Sequence, residues 1–179
     1  ASAVTLKTEN MAVSISKQTG DVAFSNLDGK ALLKEGRKSE VKLISSGVDK
    51  GRYSISQEFD LDKEEAIFGF GQRKSMKLNQ RGEDIDLWNA NTNINIPFFS
   101  SEKGYGLYWD NAGRSRFNDT KGETVFSSQV AEGVDYYFMY TDGTQDGVIA
   151  SVRELSGQAT MFPRWTMGYW QCRERYKTS

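Results

Sequence analysis

Histidine is absent from the 179 residues, and cysteine occurs once, at Cys172. These two gaps remove the Ser-His-Asp and Cys-His catalytic arrangements, histidine-based zinc sites and any intrachain disulfide. Charge of one sign is missing too. The 23 Lys and Arg face 24 Asp and Glu, a formal net charge of −1, whereas a phosphate-backbone binder needs a basic excess. Nucleic acid is therefore not expected as a partner. No apolar run approaches the roughly 20 residues of a membrane-spanning helix, so the chain reads as soluble, with no membrane partner. Its start, ASAVTLKTEN, has neither an initiator Met nor the charged-then-apolar pattern of a signal peptide. The compartment stays unassigned, periplasmic or secreted being favoured slightly over cytoplasmic.

What is present is a long series of short alternating segments. Apolar residues recur at every second position in Val4, Leu6; Met11, Val13, Ile15; Val22, Phe24; Val41, Leu43; Tyr53, Ile55; and Phe59, Leu61. Period two describes strands with one wet face. Thr19-Gly20-Asp21 and Leu27-Asp28-Gly29-Lys30 supply tight-turn chemistry between them, so the first third is expected to be an antiparallel meander. Aromatic-rich strands are expected in AIFGFG (66–71), DIDLWN (84–89), INIPFFSS (94–101), YGLYWDN (105–111), TVFSSQV (124–130) and VDYYFMYT (134–141). Aromatic content of 12% is enough to fill a sandwich interior. The fold class expected is mostly β, an antiparallel β-sandwich.

One segment departs from period two. Val148, Ile149, Val152 and Leu155 have helical spacing, Thr144 suits an N-cap and Gly157 a C-terminal cap. After this short helix, MFPRWTMGYWQCRERYKTS resumes apolar and aromatic character and stops without a cap or polar tail, as a cut chain would.

Candidate chemistry is sparse. Asp84 and Asp86 point the same way on one strand, but a solvated strand face explains them better than a catalytic pair. Glu64, Glu65, Asp60 and Asp62 read as ordinary surface charge. The glycines of FGFGQRKSMKLNQRG (68–82) lack the rest of a phosphate-loop pattern, and the segment reads instead as a strand followed by a long polar excursion. Beyond it, Trp88 meets Asn89, Asn91, Asn93 and Asn95 at alternate positions. An apolar ring beside amides suits a sugar. A turn-rich strand end, with Asn satisfying its own backbone, suits the same residues equally well. Trp165, Tyr169 and Trp170 read as core or interface rather than a ligand platform.

The order of motifs IFGFGQ, LNQRG, DLWNAN, IPFFSSEKGYGLYWDN, VDYYFMYTDG and VIASVRELSGQATMFPRWTMGYWQCRERYKTS resembles the N-terminal region of glycoside hydrolase family 31, the α-glucosidases and α-xylosidases. The resemblance covers residues 65–179 well and the first sixty loosely. It implies a galactose-mutarotase-like sandwich over 1–160. Its helix would lead into the first strand of a (β/α)8 barrel, of which 161–179 would be the truncated start. It implies no catalytic residue within these 179, because the family's nucleophile and acid/base are Asp residues on later barrel strands. No metal or organic cofactor is implied. The partners implied are an oligosaccharide, met through the parent enzyme, and the domain's own barrel. A family loop touching sugar hydroxyls over the barrel mouth maps onto Trp88, Asn89 and Asn91, with Asn91 where Asp is usual. QCRERY looks most like the α-xylosidase branch. A free-standing carbohydrate-binding sandwich and a purely supporting domain are the competing readings, and the tail around Trp165–Trp170 is expected to promote self-association.

Overall fold

The computed structural model describes residues 2–172. The opening meander consists of β1 (Ala3–Lys7), β2 (Met11–Ser16), β3 (Val22–Asn26) and β4 (Ala31–Glu35), followed by β5 (Glu40–Leu43), β6 (Tyr53–Asp60) and β7 (Ile67–Gly69). Then come β8 (Asp84–Leu87), β9 (Phe98–Ser101), β10 (Tyr105–Trp109), β11 (Ser115–Asn118), β12 (Thr124–Ala131), β13 (Tyr136–Tyr140) and helix α1 (Gln145–Ser156). Among the described residues the larger sheet runs β1-β2-β3-β4-β6-β12-β11-β8, with β5 joining β6 beside β4. The smaller runs β13-β10-β9-β7. Neighbouring strands are antiparallel throughout.

Alternation fixes which side of the central strands is dry, whereas the alternating Val4, Leu6, Val41 and Leu43 of β1 and β5 stay exposed. In β6 and β12, Ile55, Phe59, Thr124, Phe126 and Ser128 are buried while their neighbours on the other face are not. Phe126 is the hub of the interior. Its ring stacks on Trp109 with centroids 5.3 Å apart and meets Phe117 edge-on at 5.1 Å. Such pairs add to the area burial of each ring. The Trp109 indole N–H donates to Ser128 Oγ at 2.9 Å, so the largest core side chain leaves no polar atom orphaned.

Helix α1 begins where expected: Thr144 Oγ1 accepts the Gly147 backbone N–H at 3.0 Å. It lies on β10 and β13. Gly106 makes room for it, since a Cβ there would stand 2.8 Å from Val148 Cγ1. Only Val148 of the apolar stripe is fully covered, and Ile149 and Leu155 are exposed. Beyond the helix, Arg164–Met167 forms a 3-10 turn. Within residues 164–172 no strand is described, and 173–179 of the expected barrel strand lie outside the described residues. Trp165, at 70% exposure, Tyr169 and Trp170 do not enter this core.

The alternating segments form strands, but two strands gave no such signal and five segments are shorter than expected. Strand β4 has adjacent buried leucines, Leu32 and Leu33, because the β3–β4 register slips between Phe24 and Ser25. Strand β11, SRFN, offers one aromatic among polar residues. The AIFGFG strand stops at Gly69, because Phe70 turns to φ 62°. DIDLWN keeps strand geometry only to Leu87, and INIPFFSS acquires it only at Phe98.

Candidate functional site

Loop 70–83 leaves β7 at the end of the sandwich where loop 88–97 joins β8 to β9, and it runs back to the opposite end, where β8 begins and Gln80 N–H bonds Ile67 O. The first is tied down by ions. Arg81 donates from Nε to Asp119 Oδ2 at 2.7 Å and from Nη1 to the carbonyls of Asp62 (2.6 Å) and Glu65 (3.0 Å). Asp119, almost wholly buried, also accepts the Gly82 backbone N–H at 2.7 Å and the Thr124 hydroxyl at 2.6 Å. With all its acceptor demands met, a buried carboxylate of this kind is tolerated.

Glu65 corrects the sequence reading. It is not surface charge but only 2% exposed. Ser101 Oγ and Tyr105 Oη both donate to its Oε1, and Lys103 Nζ stands 2.9 Å from Oε2. Burial, reinforced by this carboxylate, pushes the Tyr105 phenol far above its usual range, so it stays a donor. Burial pulls the Lys103 ammonium down, but hydrogen bonds to Asp62 and Glu65 outweigh that and hold it above its ordinary value. Nothing in the period of the sequence distinguishes Glu65 from Glu64. The signal available was position: it immediately precedes Ala66 and Ile67 at the entry to β7.

The second loop corrects the expected row of four Asn on one strand face. Residues 88–97 contain a turn, with Ala90 bridged to Asn93 and the Asn93 backbone N–H bonded to Ala90 O at 3.1 Å. Asn95 donates its backbone N–H to Asn89 Oδ1 at 2.6 Å and its amide to Trp88 O at 2.7 Å. Asn89 and Asn95 therefore close the loop on itself, as Asn side chains do in turns. Asn91 takes part in neither bond and is exposed at the tip. Beside it Thr92 holds φ 73°, a strained value for a β-branched residue. A bridge between Gln72 and Ile94 joins the two loops. Gly71 is required there, because it has φ 82° and a Cβ would lie 2.2 Å from Ile94 O.

Trp88, 55% exposed, is held from one side: the Arg114 guanidinium carbon sits 5.7 Å from its ring centroid. Arg114 is gripped in turn by Asp86, with Nε 3.1 Å from Oδ1, and Arg116 grips Asp84 with Nε 2.6 Å from Oδ1. Hydrogen bonds from Arg116 hold the Asp84 carboxyl below its ordinary value, and those from Arg114 do the same for Asp86. A carboxyl so depressed is a poor proton donor near neutrality. These two aspartates form an outer-face ladder with arginine. Among the described residues no cluster of three or more Cys, Asp or Glu is arranged to hold a metal ion.

The site thus brings Trp88, Asn89 and Asn91 together on one short loop but assigns them different work. Trp88 and Asn91 are available to solvent, while Asn89 maintains the loop. The two loops also expose Met76, Leu78, Ile94 and Ile96. Arg73 sits one residue past the Gln72–Ile94 bridge, and its Nη1 is buried without a hydrogen-bond partner among the described residues.

Comparison with known proteins gives a consistent outcome. Residues 1–118 match the family model described as the glycosyl hydrolase 31 N-terminal galactose mutarotase-like domain. An α-xylosidase of Saccharolobus solfataricus is 31% identical over 99% of this chain, which spans 25% of that relative's length. An uncharacterized family 31 glucosidase of Pseudescherichia vulneris is 26% identical over 99% of the chain, which spans 37% of it. Among solved structures, a family 31 α-xylosidase from a soil metagenome, complexed with xylose, superposes with a TM-score of 0.88 at 25% identity, covering 99% of this chain and 29% of that one. The chain therefore spans between a quarter and just over a third of the length of these relatives.

Proposed function

The chain belongs to glycosyl hydrolase family 31 as its N-terminal galactose mutarotase-like domain, and on that footing we propose that it opens a retaining α-glycosidase, an α-glucosidase or α-xylosidase, that removes terminal α-linked sugars. In such an enzyme one carboxylate attacks the anomeric carbon while a second, about 5–5.5 Å away, acts first as acid and then as base. Those carboxylates would be supplied by polypeptide beyond these 179 residues. Three acids on or beside β8 and β11 are already committed, Asp84 and Asp86 to arginines and Asp119 to Arg81.

The domain's own share is to support the catalytic barrel and to lend it the 88–97 loop. The carrying observation is the loop's construction. Asn89 and Asn95 close it internally, so that Asn91, beside the strained Thr92, is left exposed with its amide in neither of those bonds, on the same loop as the exposed ring of Trp88. An amide bonds sugar hydroxyls as donor and acceptor, and an indole covers the C–H face of a pyranose. We place the boundary between the sandwich and the start of the barrel at residue 160. Past it Met161, Phe162, Trp165, Met167, Tyr169 and Trp170 are all exposed, which suits a segment covered by the rest of the parent. Left uncovered, it favours pairing of copies, measurable by light scattering.

The test is kinetic. Full-length polypeptide should hydrolyse aryl α-xylosides or aryl α-glucosides, and Asn91→Ala should raise KM or lower kcat. Unchanged constants would reduce the domain to a support. Tight oligosaccharide binding by the 179-residue chain alone, lost on Asn91→Ala, would favour a free-standing binding module.

A further inference from the structure

At the loop end of the sandwich one cation is out of balance with its surroundings. Four other cations of the 70–83 loop and of the chain around β11 are matched: Lys77 by Glu83, Arg81 by Asp119, Arg114 by Asp86 and Arg116 by Asp84. Arg73 and Lys74 have no ion pair among the described residues, and Arg73 places a guanidinium nitrogen out of solvent with nothing to donate to. A buried donor without an acceptor is costly, more so when charged, and natural proteins rarely keep one. The same loop exposes Met76, 92% accessible, and Leu78, and the segment bridged to it through Gln72 and Ile94 exposes Ile94 and Ile96. Exposed apolar side chains on the segments that flank an unsatisfied charge describe half of an interface.

We propose that Arg73 is a positioning residue whose guanidinium is completed by a carboxylate on the polypeptide that follows this domain. That pair, on a loop that also exposes Met76 and Leu78, fixes the 88–97 loop over the sugar pocket. The partner is acidic because the two unmatched groups on this surface are both cations, which a neutral glycoside cannot neutralise. It is protein rather than substrate because the same loop exposes the large apolar side chains Met76 and Leu78. It belongs to the same polypeptide because the relatives continue for roughly two to three times the length of this chain past the matched region or around it. The bridge between Gln72 and Ile94 gives the pair its leverage: a residue clamped at 73 restrains the strand that carries the Asn91 tip. The inference rests on the reading that this domain is part of a larger glycosidase.

The experiment compares Arg73→Met in two contexts, the 179-residue chain and the full-length polypeptide. In the short chain the substitution removes an uncompensated cation, and Tm should rise by about 3 °C. In the full-length protein the same change strands a carboxylate, so Tm should fall by a similar amount and KM should rise about five- to tenfold. Arg73→Lys, which keeps the charge but loses the two-pronged donor geometry, should restore part of both. A Tm change of the same sign in both contexts overturns the proposal. So does a raised KM in a full-length protein whose Tm rises, since the guanidinium would then be meeting substrate. A full-length protein inert on aryl α-glycosides that still shows the reversal of sign would defeat the glycosidase reading and leave the ion pair standing. An active enzyme without the reversal would do the opposite.

Discussion

Phe70 and Thr92 both hold a positive φ, 62° and 73°, and they lie at opposite extremes of the molecule's packing. Phe70 is fully buried, its ring 4.4 Å from Phe117 and 6.0 Å from Phe99, so the interior over-determines the strained backbone. Thr92 is exposed at the tip of the 88–97 loop, with only the Ala90–Asn93 turn to hold it. In the core, strain is absorbed by ring contacts; at the loop end it is left standing beside an uncommitted amide and an unmatched cation. Stability and recognition are thus segregated along one strand direction, with Gly71 at the border.

The largest effect should come from the packed side of that contrast. Phe126→Ala removes the ring that touches Phe59, Phe70, Phe99, Trp109 and Phe117, and should cost about 3–5 kcal/mol in urea unfolding. Glu65→Ala strands the Lys103 ammonium and leaves Tyr105 and Ser101 without their acceptor, for a loss of about 3 kcal/mol. Gly71→Ala tests the border itself. It forces a Cβ to within 2.2 Å of Ile94 O and should cost about 2 kcal/mol, with the 88–97 loop amides losing hydrogen-exchange protection first. On the open side the sign should reverse. Thr92→Asn, which tolerates the left-handed region, should gain about 0.5–1 kcal/mol. An unaltered Tm there would mean that the tip is not strained.

The smallest effect belongs to the outer ladder. Asp84 and Asp86 have carboxyls held below their unfolded value of 3.8 by arginine hydrogen bonds. Their contribution is complete above that value and is lost as pH falls through the lower folded value. Wild type should therefore lose slightly more stability below about pH 4 than an Arg114→Gln, Arg116→Gln double variant, and added salt should shrink the difference.

Much of this was legible in the residues. The meander showed because one face of each strand is wet, and α1 because Thr144 and Gly157 mark its ends. Strand β4 was hidden by a register slip that sets Leu32 and Leu33 side by side, and β11 because its identity comes from partners on β8 and β12 rather than from its own composition. At the candidate site the expected residues share one loop, but not the expected strand geometry. Alternate Asn residues read as a strand face, but Asn bonds its own backbone so readily that the segment closed into a turn and left Asn91 alone available. Glu65 and Arg73 could not be read at all, because burial of a charge depends on residues brought from far along the chain, here Ser101, Lys103 and Tyr105 in the first case.

The pairing of β6 with β12 has a consequence for how the chain is made. Phe59 must wait for Thr124, roughly 65 residues downstream, before that side of its strand is hydrogen-bonded. At a ribosome adding about 5–20 residues each second, the central strand of the larger sheet spends several seconds with one flank bare. Its other flank is covered by β4 at Phe59 and Asp60 and by β5 from Tyr53 to Ser56, both already synthesised, which makes these two short segments a chaperone in miniature during synthesis.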